Sequence, residues 1–254
     1  MQLKLLKKED EKIVFLIKET EAYIVNALRR TIMEEVPTMA IDEVTFVKNQ
    51  SALYEEIIAM RLGLIPLTTD LKGYNSLEEC KCSGKGCARC QLKLVLEAKG
   101  PCTVLAENLK SKDPKIKPSY PDMPITKLLK GQVLQLEAVA RLGQGKTHAK
   151  HNPGLAYYFE LPILTATKDA DIKKILSKSK NLVAKGRSLE IIDLAKWNEA
   201  DSQLCEDNGV TVDYSKNEFI FIFESWGQLE PKKVIIAALE LFNKKLKEFD
   251  KLLK

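Results

Sequence analysis

The chain has 254 residues, enough to bury a substantial core in one large or two modest domains. Hydrophobic residues make up 45% and charged residues 30%, which is ordinary for a globular protein and excludes a disordered chain or a coiled-coil rod. No apolar run approaches the roughly 20 residues that span a bilayer, and residues 1–18 lack the apolar centre of a signal peptide. We therefore expect a cytoplasmic protein without a membrane partner.

The net charge of +5 permits a polyanionic partner without requiring one. Only six basic residues are arginines, and the lysines are scattered along the chain instead of being gathered with aromatic residues. Sites that read bases or stack single strands usually need arginine or aromatic clusters. We interpret the excess of lysine as a solvated surface.

The chain opens with two predicted strands, residues 1–8 and 12–18, and then a helix. The helix runs from residue 21 to Pro37, which ends it, and its stripe at helical spacing consists of Ile24, Leu28, Thr31, Ile32 and Glu35. Within it, Asn26-Ala27-Leu28-Arg29-Arg30 places two guanidinium groups on different sides, where they can bind carboxylates or carbonyls of neighbouring chains. The alternative is a solvated basic patch on an ordinary amphipathic helix.

The middle of the chain is predicted to be mostly β-structure. Strands are expected at residues 39–48, 92–98, 103–109 and 132–142, and a second helix at residues 53–62. The strand at 156–164 is expected to pair with 132–142, across a loop that is long enough to be a contact surface. Asp42 and Glu43 are expected to form a salt bridge with Arg29 or Arg30.

The last third begins with a stretch of helical periodicity at residues 168–205, including 191–195, which resembles an inserted module. Two short strands, 210–214 and 218–224, precede a final helix that starts at Pro231. Its predicted apolar stripe is Ile235, Ala238, Phe242, Leu246, Phe249 and Leu253. At about 1.5 Å per residue this helix is too long to bury the whole stripe on a small sheet, so we expect a second chain to cover the rest. The alternative is one long helix packed on its own domain.

Four cysteines lie close together in the sequence: Cys80, Cys82, Cys87 and Cys90. Four thiolates complete a tetrahedral zinc shell and leave no open position for water, so the site is expected to be structural. An iron–sulfur cluster and a metal-free loop are the alternatives. The only two histidines have no nucleophile with a suitable context near them, and no paired-carboxylate or magnesium motif occurs, so we expect no catalytic residues.

Two blocks of sequence carry a family resemblance. The run NALRRTIMEEVPTMAIDEV, followed by LYEEIIAMRLGLIPLTTD at residues 53–70, resembles the D-subunit family of archaeal RNA polymerase. The blocks are also similar to the third subunit of eukaryotic RNA polymerase II and, more distantly, to the amino-terminal domain of the bacterial alpha subunit. The later GQGKTHAKHNP loop and the last helix follow in the family's order across nearly the whole chain.

The resemblance implies an α+β fold like that of the bacterial alpha-subunit amino-terminal domain. Residues 1–37 and 210–254 would form a discontinuous dimerisation domain, and residues 38–164 an inserted, mostly β domain with a zinc loop at 80–90. A similar zinc loop occurs in the eukaryotic relatives. Residues 165–209 would form a ferredoxin-like domain.

Some archaeal members carry an iron–sulfur cluster in that last domain. Reading back from Cys205 with the bacterial ferredoxin spacing gives Asp201, Asn198 and Ala195, none of which is a thiolate. We therefore expect this domain to be degenerate and to lack a cluster.

In function, the resemblance implies a non-catalytic assembly subunit of DNA-directed RNA polymerase, a nucleotidyltransferase complex. The chain would pair with the small subunit L and form a platform for the two largest subunits and the small subunits N and P, meeting DNA only through the assembled complex. Besides the stripe of the last helix, the expected interface residues are Asn26, Leu28, Arg29, Arg30, Leu62, Gly63, His148 and His151. A metal-cluster redox protein and a zinc-bearing nucleic-acid-binding module remain as alternatives.

Overall fold

The computed structural model describes residues 1–168, 170–186 and 188–253. The strands, in chain order, are β1 (Gln2–Lys8), β2 (Lys12–Lys18), β3 (Thr38–Asn49), β4 (Gln91–Lys99), β5 (Cys102–Leu105), β6 (Lys110–Ser111), β7 (Pro124–Leu128), β8 (Val133–Gly143), β9 (Gly154–Ala166), β10 (Leu182–Lys185), β11 (Ser188–Ile191) and β12 (Val210–Ser225). The helices are α1 (Ala22–Glu35), α2 (Glu55–Gly63), α3 (Ile172–Lys178), α4 (Glu199–Glu206) and α5 (Pro231–Leu252). None of the helices in these ranges is long and apolar enough to cross a membrane.

The chain folds into two compact units, each built from two separate stretches of sequence. The first unit comprises Met1–Ala27 and Ala156–Phe223, and the second comprises Leu28–Leu155 and Glu224–Lys254. The chain therefore leaves and re-enters each unit, and each unit has an apolar core of its own.

The first unit is organised around a four-stranded sheet in the order β1-β2-β12-β9. On one face Phe15 stacks on Phe221 with ring centroids 5.0 Å apart. On the other face Val14 packs with Ile220 and Ile222. Because both faces of the two central strands are buried, their sequences are continuous apolar runs instead of alternating ones.

A small module in the same unit contains α3, the β10–β11 hairpin and α4. Its core is formed by the fully or nearly fully buried side chains of Ile175, Leu182, Leu189, Cys205 and Val210. Both helices are capped at their first turn. The side chain of Asp171 accepts a hydrogen bond from the backbone N–H of residue 174, and the side chain of Asn198 accepts one from the backbone N–H of residue 201.

The second unit holds a sheet in the order β3-β8-β4-β6 and the smaller β5-β7 pair. Along β8 the side chains at 134, 136, 138, 140 and 142 are buried, so the predicted face of this strand is confirmed. Ile58 and Leu62 of α2 are completely buried in the same core.

The predicted pairing of the strand at 132–142 with the strand at 156–164 is wrong. Strand β8 pairs on one side with β3, from Thr38–Gly143 to Asn49–Leu134, and on the other with β4, whereas β9 lies next to β12. The connection from β8 to β9 turns back on the end of α1 instead of forming a hairpin, since Lys146 N–H donates to the carbonyl of Glu34.

Several local predictions also differ from the structure. Residues 191–195 are not α-helical, because Ile191 ends β11 and only a short 3₁₀ turn follows at Leu194–Lys196. The two strands predicted at 210–214 and 218–224 are one continuous strand, β12. The strand predicted at 103–109 ends at residue 105. Residues 106–108 instead form a 3₁₀ turn, in which the Asn108 side chain accepts a hydrogen bond from the Leu105 N–H.

The expected salt bridges of Asp42 and Glu43 with Arg29 or Arg30 are replaced by others. Asp42 pairs with Arg141 at 3.0 Å and with Lys150 at 2.7 Å, and Glu43 pairs with Arg141 at 2.8 Å. Arg141 stands opposite residue 40 in the β3–β8 ladder, so this basic side chain on the neighbouring strand reaches both carboxylates.

Candidate functional site

The four clustered cysteines come together at one point of the second unit. The Sγ atoms of Cys80 and Cys87 are 3.6 Å apart, those of Cys82 and Cys90 are also 3.6 Å apart, and all four lie within 4.8 Å of one another. A tetrahedral zinc ion with bonds of about 2.3 Å to sulfur requires sulfurs about 3.8 Å apart. The thiols therefore fit the shell of a single tetrahedral ion.

The backbone of this loop is shaped for the cluster. Ser83, Gly84 and Gly86 all adopt positive φ angles, between 51° and 79°, which fold the two cysteine pairs toward each other. The backbone N–H of Cys87 donates to the Sγ of Cys90 at 3.2 Å, and such a bond favours the thiolate that binds metal.

The chemistry of the donors suits a soft or borderline metal. A hydrogen bond from Cys80 lowers the pKa of the Cys82 thiol to about 7, whereas, despite the hydrogen bond from the Cys87 N–H, burial raises the pKa of the Cys90 thiol to about 12. In a polynuclear iron–sulfur cluster the thiolates bind different irons, and the sulfurs would then lie farther apart than in a single-ion shell. The observed spacing fits one ion such as zinc better, with no position left for a substrate.

Helix α1 presents its two arginines in different ways. Arg30 is exposed and forms a two-pronged pair with Glu34, both nitrogen–oxygen distances being 3.2 Å. Arg29 is half-buried, and its Nη1 lies 3.6 Å from the sulfur of Met33. Asn26 and Leu28 are half-buried.

The buried stripe of α1 also differs from the predicted one by one position. Val25 is buried, along with Ile32 and Val36, whereas Ile24 is 40% exposed.

Helix α5 is buried only in its first turns. Val234 and Ala238 are completely buried, whereas Leu246, Phe249 and Leu253 are 52%, 60% and 71% exposed. Ala238, predicted to belong to the partner-facing stripe, has no accessible surface, and Leu239 takes its place at 43% exposure.

The outward-facing residues of α5 form a stripe that we call the α5 seam: Ile235, Leu239, Phe242, Leu246, Phe249 and Leu253. Their spacing of 4, 3, 4, 3 and 4 residues is that of a helix packed along its length on another helix. Ile235 and Phe242 are half-buried, and the other members are exposed.

The loop between β8 and β9 is held tightly to the end of α1. A Cβ atom at Gly145 would lie 2.0 Å from the backbone oxygen of Met33, so only glycine fits this close approach. The side chain of Gln144 donates to the carbonyl of Glu35 at 3.0 Å.

The two histidines of this loop have different surroundings. His151 is buried: its Nδ1 donates to the carbonyl of Thr38 at 2.9 Å, and the Thr38 hydroxyl donates to the carbonyl of His151 at 2.8 Å. His148 is exposed and accepts the N–H of Lys150. Of the pair, His148 is the one that a neighbouring chain can reach.

The remaining predicted interface residues lie on α2, where Leu62 is completely buried and Gly63 is half-buried. The opposite side of the same region exposes apolar residues that the sequence analysis missed. We call this set the α2 face: Tyr54, Ile57, Met60 and Leu64. Their spacing of 3, 3 and 4 residues is visible in the sequence and could have identified them.

Comparisons with known proteins give a consistent result. Residues 39–156 match the family described as the RNA polymerase Rpb3/RpoA insert domain. The chain is similar to DNA-directed RNA polymerase subunit Rpo3 of Methanosarcina acetivorans, with 35% identity over 98% of this chain and 96% of that protein. It is likewise similar to subunit Rpo3 of Pyrococcus furiosus, with 36% identity over 98% and 95% of the two chains, and of Archaeoglobus fulgidus, with 32% identity over 99% and 97%.

The thiol cluster predicts that Cys82→Ser abolishes metal binding without unfolding the chain. We expect the metal content to fall from one ion per chain to near zero, and amide exchange to accelerate within residues 79–90 only, because the neighbouring β4 belongs to a large apolar core. Cys102→Ser, which changes a half-buried cysteine outside the cluster, should leave both quantities unchanged. A general loss of exchange protection in Cys82→Ser would contradict this expectation.

The buried histidine predicts a pH dependence of stability. Burial lowers the pKa of His151, although its bond to the Thr38 carbonyl opposes the shift. The neutral ring is therefore favoured by folding, and its contribution is complete above the unfolded pKa of about 6.5 and is lost as the pH falls toward the lower folded value. Denaturation between about pH 7.5 and 5.5 should show a smaller acid destabilisation in His151→Gln than in wild type. An equal acid destabilisation in His151→Gln and wild type would contradict this expectation.

Proposed function

Because the chain belongs to the Rpo3 family, the D subunits of DNA-directed RNA polymerase, we propose that it is an assembly subunit of that enzyme and supplies no catalytic residues itself. The Rpb3/RpoA insert match and the mixed α and β architecture fit a fold like that of the alpha-subunit amino-terminal domain. Its role would be to pair with the small subunit L and to position the two largest subunits.

The α5 seam is the single observation that carries this proposal. A helix of 22 residues buries only Pro231, Val234 and Ala238 fully, and leaves its last three turns with large apolar side chains in water. Soluble monomers seldom expose a contiguous apolar patch of this kind unless another chain covers it. A helix of subunit L lying along the seam would bury these side chains in the way that paired helices do.

The contact with the large subunits is assigned to polar and apolar groups of α1 and α2. Arg29 and Arg30 offer planar donors for carboxylates or carbonyls, and Arg30 can exchange its exposed partner Glu34 for one on another chain. The α2 face supplies apolar area, while the buried Leu62 and the neighbouring Gly63 shape the surface from beneath. His148, at the exposed part of the β8–β9 loop, would add a further contact. The small subunits N and P complete the proposed set of partners.

The domain roles are part of the same proposal. Residues 1–37 and 210–254 would serve dimerisation, and 38–164 would be the inserted domain with structural zinc at residues 80–90. Residues 165–209 would be a ferredoxin-like domain without a cluster. In support, Asp201, which stands at one of the ligand spacings, is buried and accepts a hydrogen bond from Ser179 at 2.7 Å.

The proposal is tested by recovering the tagged chain from cells that produce it and identifying every retained polypeptide by intact mass, with metal analysis of the same sample. We expect a small partner of the L type and two very large polypeptides. Recovery of the chain alone with bound iron would instead favour a redox protein and end the polymerase assignment.

The α5 seam predicts that Phe249→Asp blocks pairing with subunit L. Burying a carboxylate in an apolar helix contact should weaken the complex by at least about 2 kcal/mol, or about 30-fold in Kd. The thermal stability of the isolated chain should hardly change, because Phe249 is exposed there. Titration calorimetry of the purified pair provides the measurement, and Asn243→Asp is the matched control because it introduces the same charge elsewhere on α5. Equal binding by both variants would rule out the seam as the contact.

The paired arginines predict a different defect. Arg29→Ala combined with Arg30→Ala should leave folding and L binding intact but weaken capture of the two large subunits by about tenfold, since charged hydrogen bonds across an interface are lost. Reconstitution from purified subunits followed by size separation gives the yield of complete enzyme. The control removes two exposed lysines of the second unit, Lys127→Ala and Lys130→Ala. An undiminished yield in the arginine variant would refute the assigned role.

A further inference from the structure

The net charge of the chain is concentrated in one short stretch. Residues 168–187 contain seven basic residues and only two acidic ones, an excess of five that equals the +5 of the whole chain. The remainder carries equal numbers of basic and acidic residues. The description of the lysines as scattered is therefore wrong for this stretch, which belongs to the small module of the first unit.

Four lysines of this stretch form a surface that we call the α3 lysine patch: Lys173, Lys174, Lys178 and Lys180. All four side chains are exposed. None of them forms an ion pair with a carboxylate in the described ranges, whereas the nearby Lys185 pairs with Glu190 at 3.1 Å. Within the described residues, no carboxylate therefore competes with a ligand for these four charges.

The fold directs the patch outward. Ile175 is completely buried in the core of the module, and Ile172 and Leu176 pack against the same core. These three residues fix the inner side of α3, so Lys173, Lys174 and Lys178 lie on its outer side, and Lys180 follows just after the helix. Lys174 and Lys178 stand four residues apart on that side, where like charges repel and disfavour the helix unless an anion neutralises them.

We propose that the α3 lysine patch binds the phosphate backbone of duplex DNA without reading its sequence. Lysine is a compact, mobile point charge that suits phosphate oxygens, and the four members of the patch include neither the arginine forks nor the aromatic rings of base-reading and single-strand sites. Such a contact is weak in the free chain. The contact rests on the proposed function, because other subunits of an assembled enzyme would hold the DNA and so raise its local concentration at the patch.

The test measures binding of the full chain to a short duplex DNA of arbitrary sequence by fluorescence anisotropy, from about 50 mM to about 200 mM salt. Each phosphate contact contributes about 0.9 to the slope of log K against log salt. Replacing all four patch lysines by glutamine should therefore lower the slope by up to about 3.6 and reduce affinity at low salt at least tenfold. Replacing them by arginine, which preserves the charge, should keep most of the binding.

A matched control separates the patch from net charge. Lys112, Lys117, Lys127 and Lys130 are exposed lysines of the second unit, and changing them to glutamine alters the net charge equally. Loss of DNA binding in the patch variant with retention in this control supports the proposal. It is overturned if both variants lose binding alike, or if the wild-type chain does not bind duplex DNA at the lowest salt. It is also overturned if polyglutamate of equal charge displaces the duplex as well as unlabelled DNA does, which would identify a site for an acidic protein. Circular dichroism of each variant checks that the module remains folded.

Discussion

Helix α5 has more apolar surface than its own chain covers, and the uncovered part favours association with another chain. Its first turns are buried through Val234 and Ala238, while Leu246 and Phe249 stand in water. Burial of large apolar side chains is the main favourable term in association, so this surface favours a complex over the free chain. The basic side chain of Lys245 pairs with Glu35 at the end of α1. The chain is therefore organised to be completed by another polypeptide.

The loop between β8 and β9, which we propose as a contact surface, is held on a rigid scaffold. Two reciprocal hydrogen bonds join Thr38 to His151, and Gly145 lies directly against the backbone of α1. The strands beside it, β3 and β8, are paired along nearly their whole length. Exposed residues such as His148 are thereby held by a well-ordered framework, which reduces the ordering cost of binding a neighbour.

How much the sequence could predict depends on how local the determining interaction is. The cysteine spacing predicted the thiol cluster, since four ligands within one loop need no distant partner. The alternation along β8 predicted its buried face for the same reason, as the strand carries the whole pattern. The pairing of β8 with β3 and β4 could not be read in this way, because it is decided by hydrogen bonds between strands that are far apart in sequence.

Errors of one position in the helices have a related cause. Successive helical residues differ by about 100° around the axis, so two neighbouring apolar residues often fit the same periodic stripe. Sequence periodicity placed Ile24 and Ala238 in the predicted stripes. In the structure, Val25 is buried instead of Ile24, and Leu239 faces outward in place of Ala238. Only the tertiary contacts of each helix distinguish these pairs. The helical periodicity predicted at residues 191–195 has a similar cause. An apolar strand end followed by a 3₁₀ turn also places apolar residues close together in the sequence.

Two loop-rich segments of the chain achieve order by different physical means. The cysteine loop at residues 80–90 contains no large aliphatic or aromatic side chain, so its order depends on the four thiols and on the metal ion that we propose they bind. The small module instead has an apolar core around Ile175 and Leu182, and a buried bond between Ser179 and Asp201. Because that core orders the module from within, its outer surface is free to carry charge. An excess of lysine can therefore persist there without weakening the packing beneath it, which is the condition that an anion-binding surface requires.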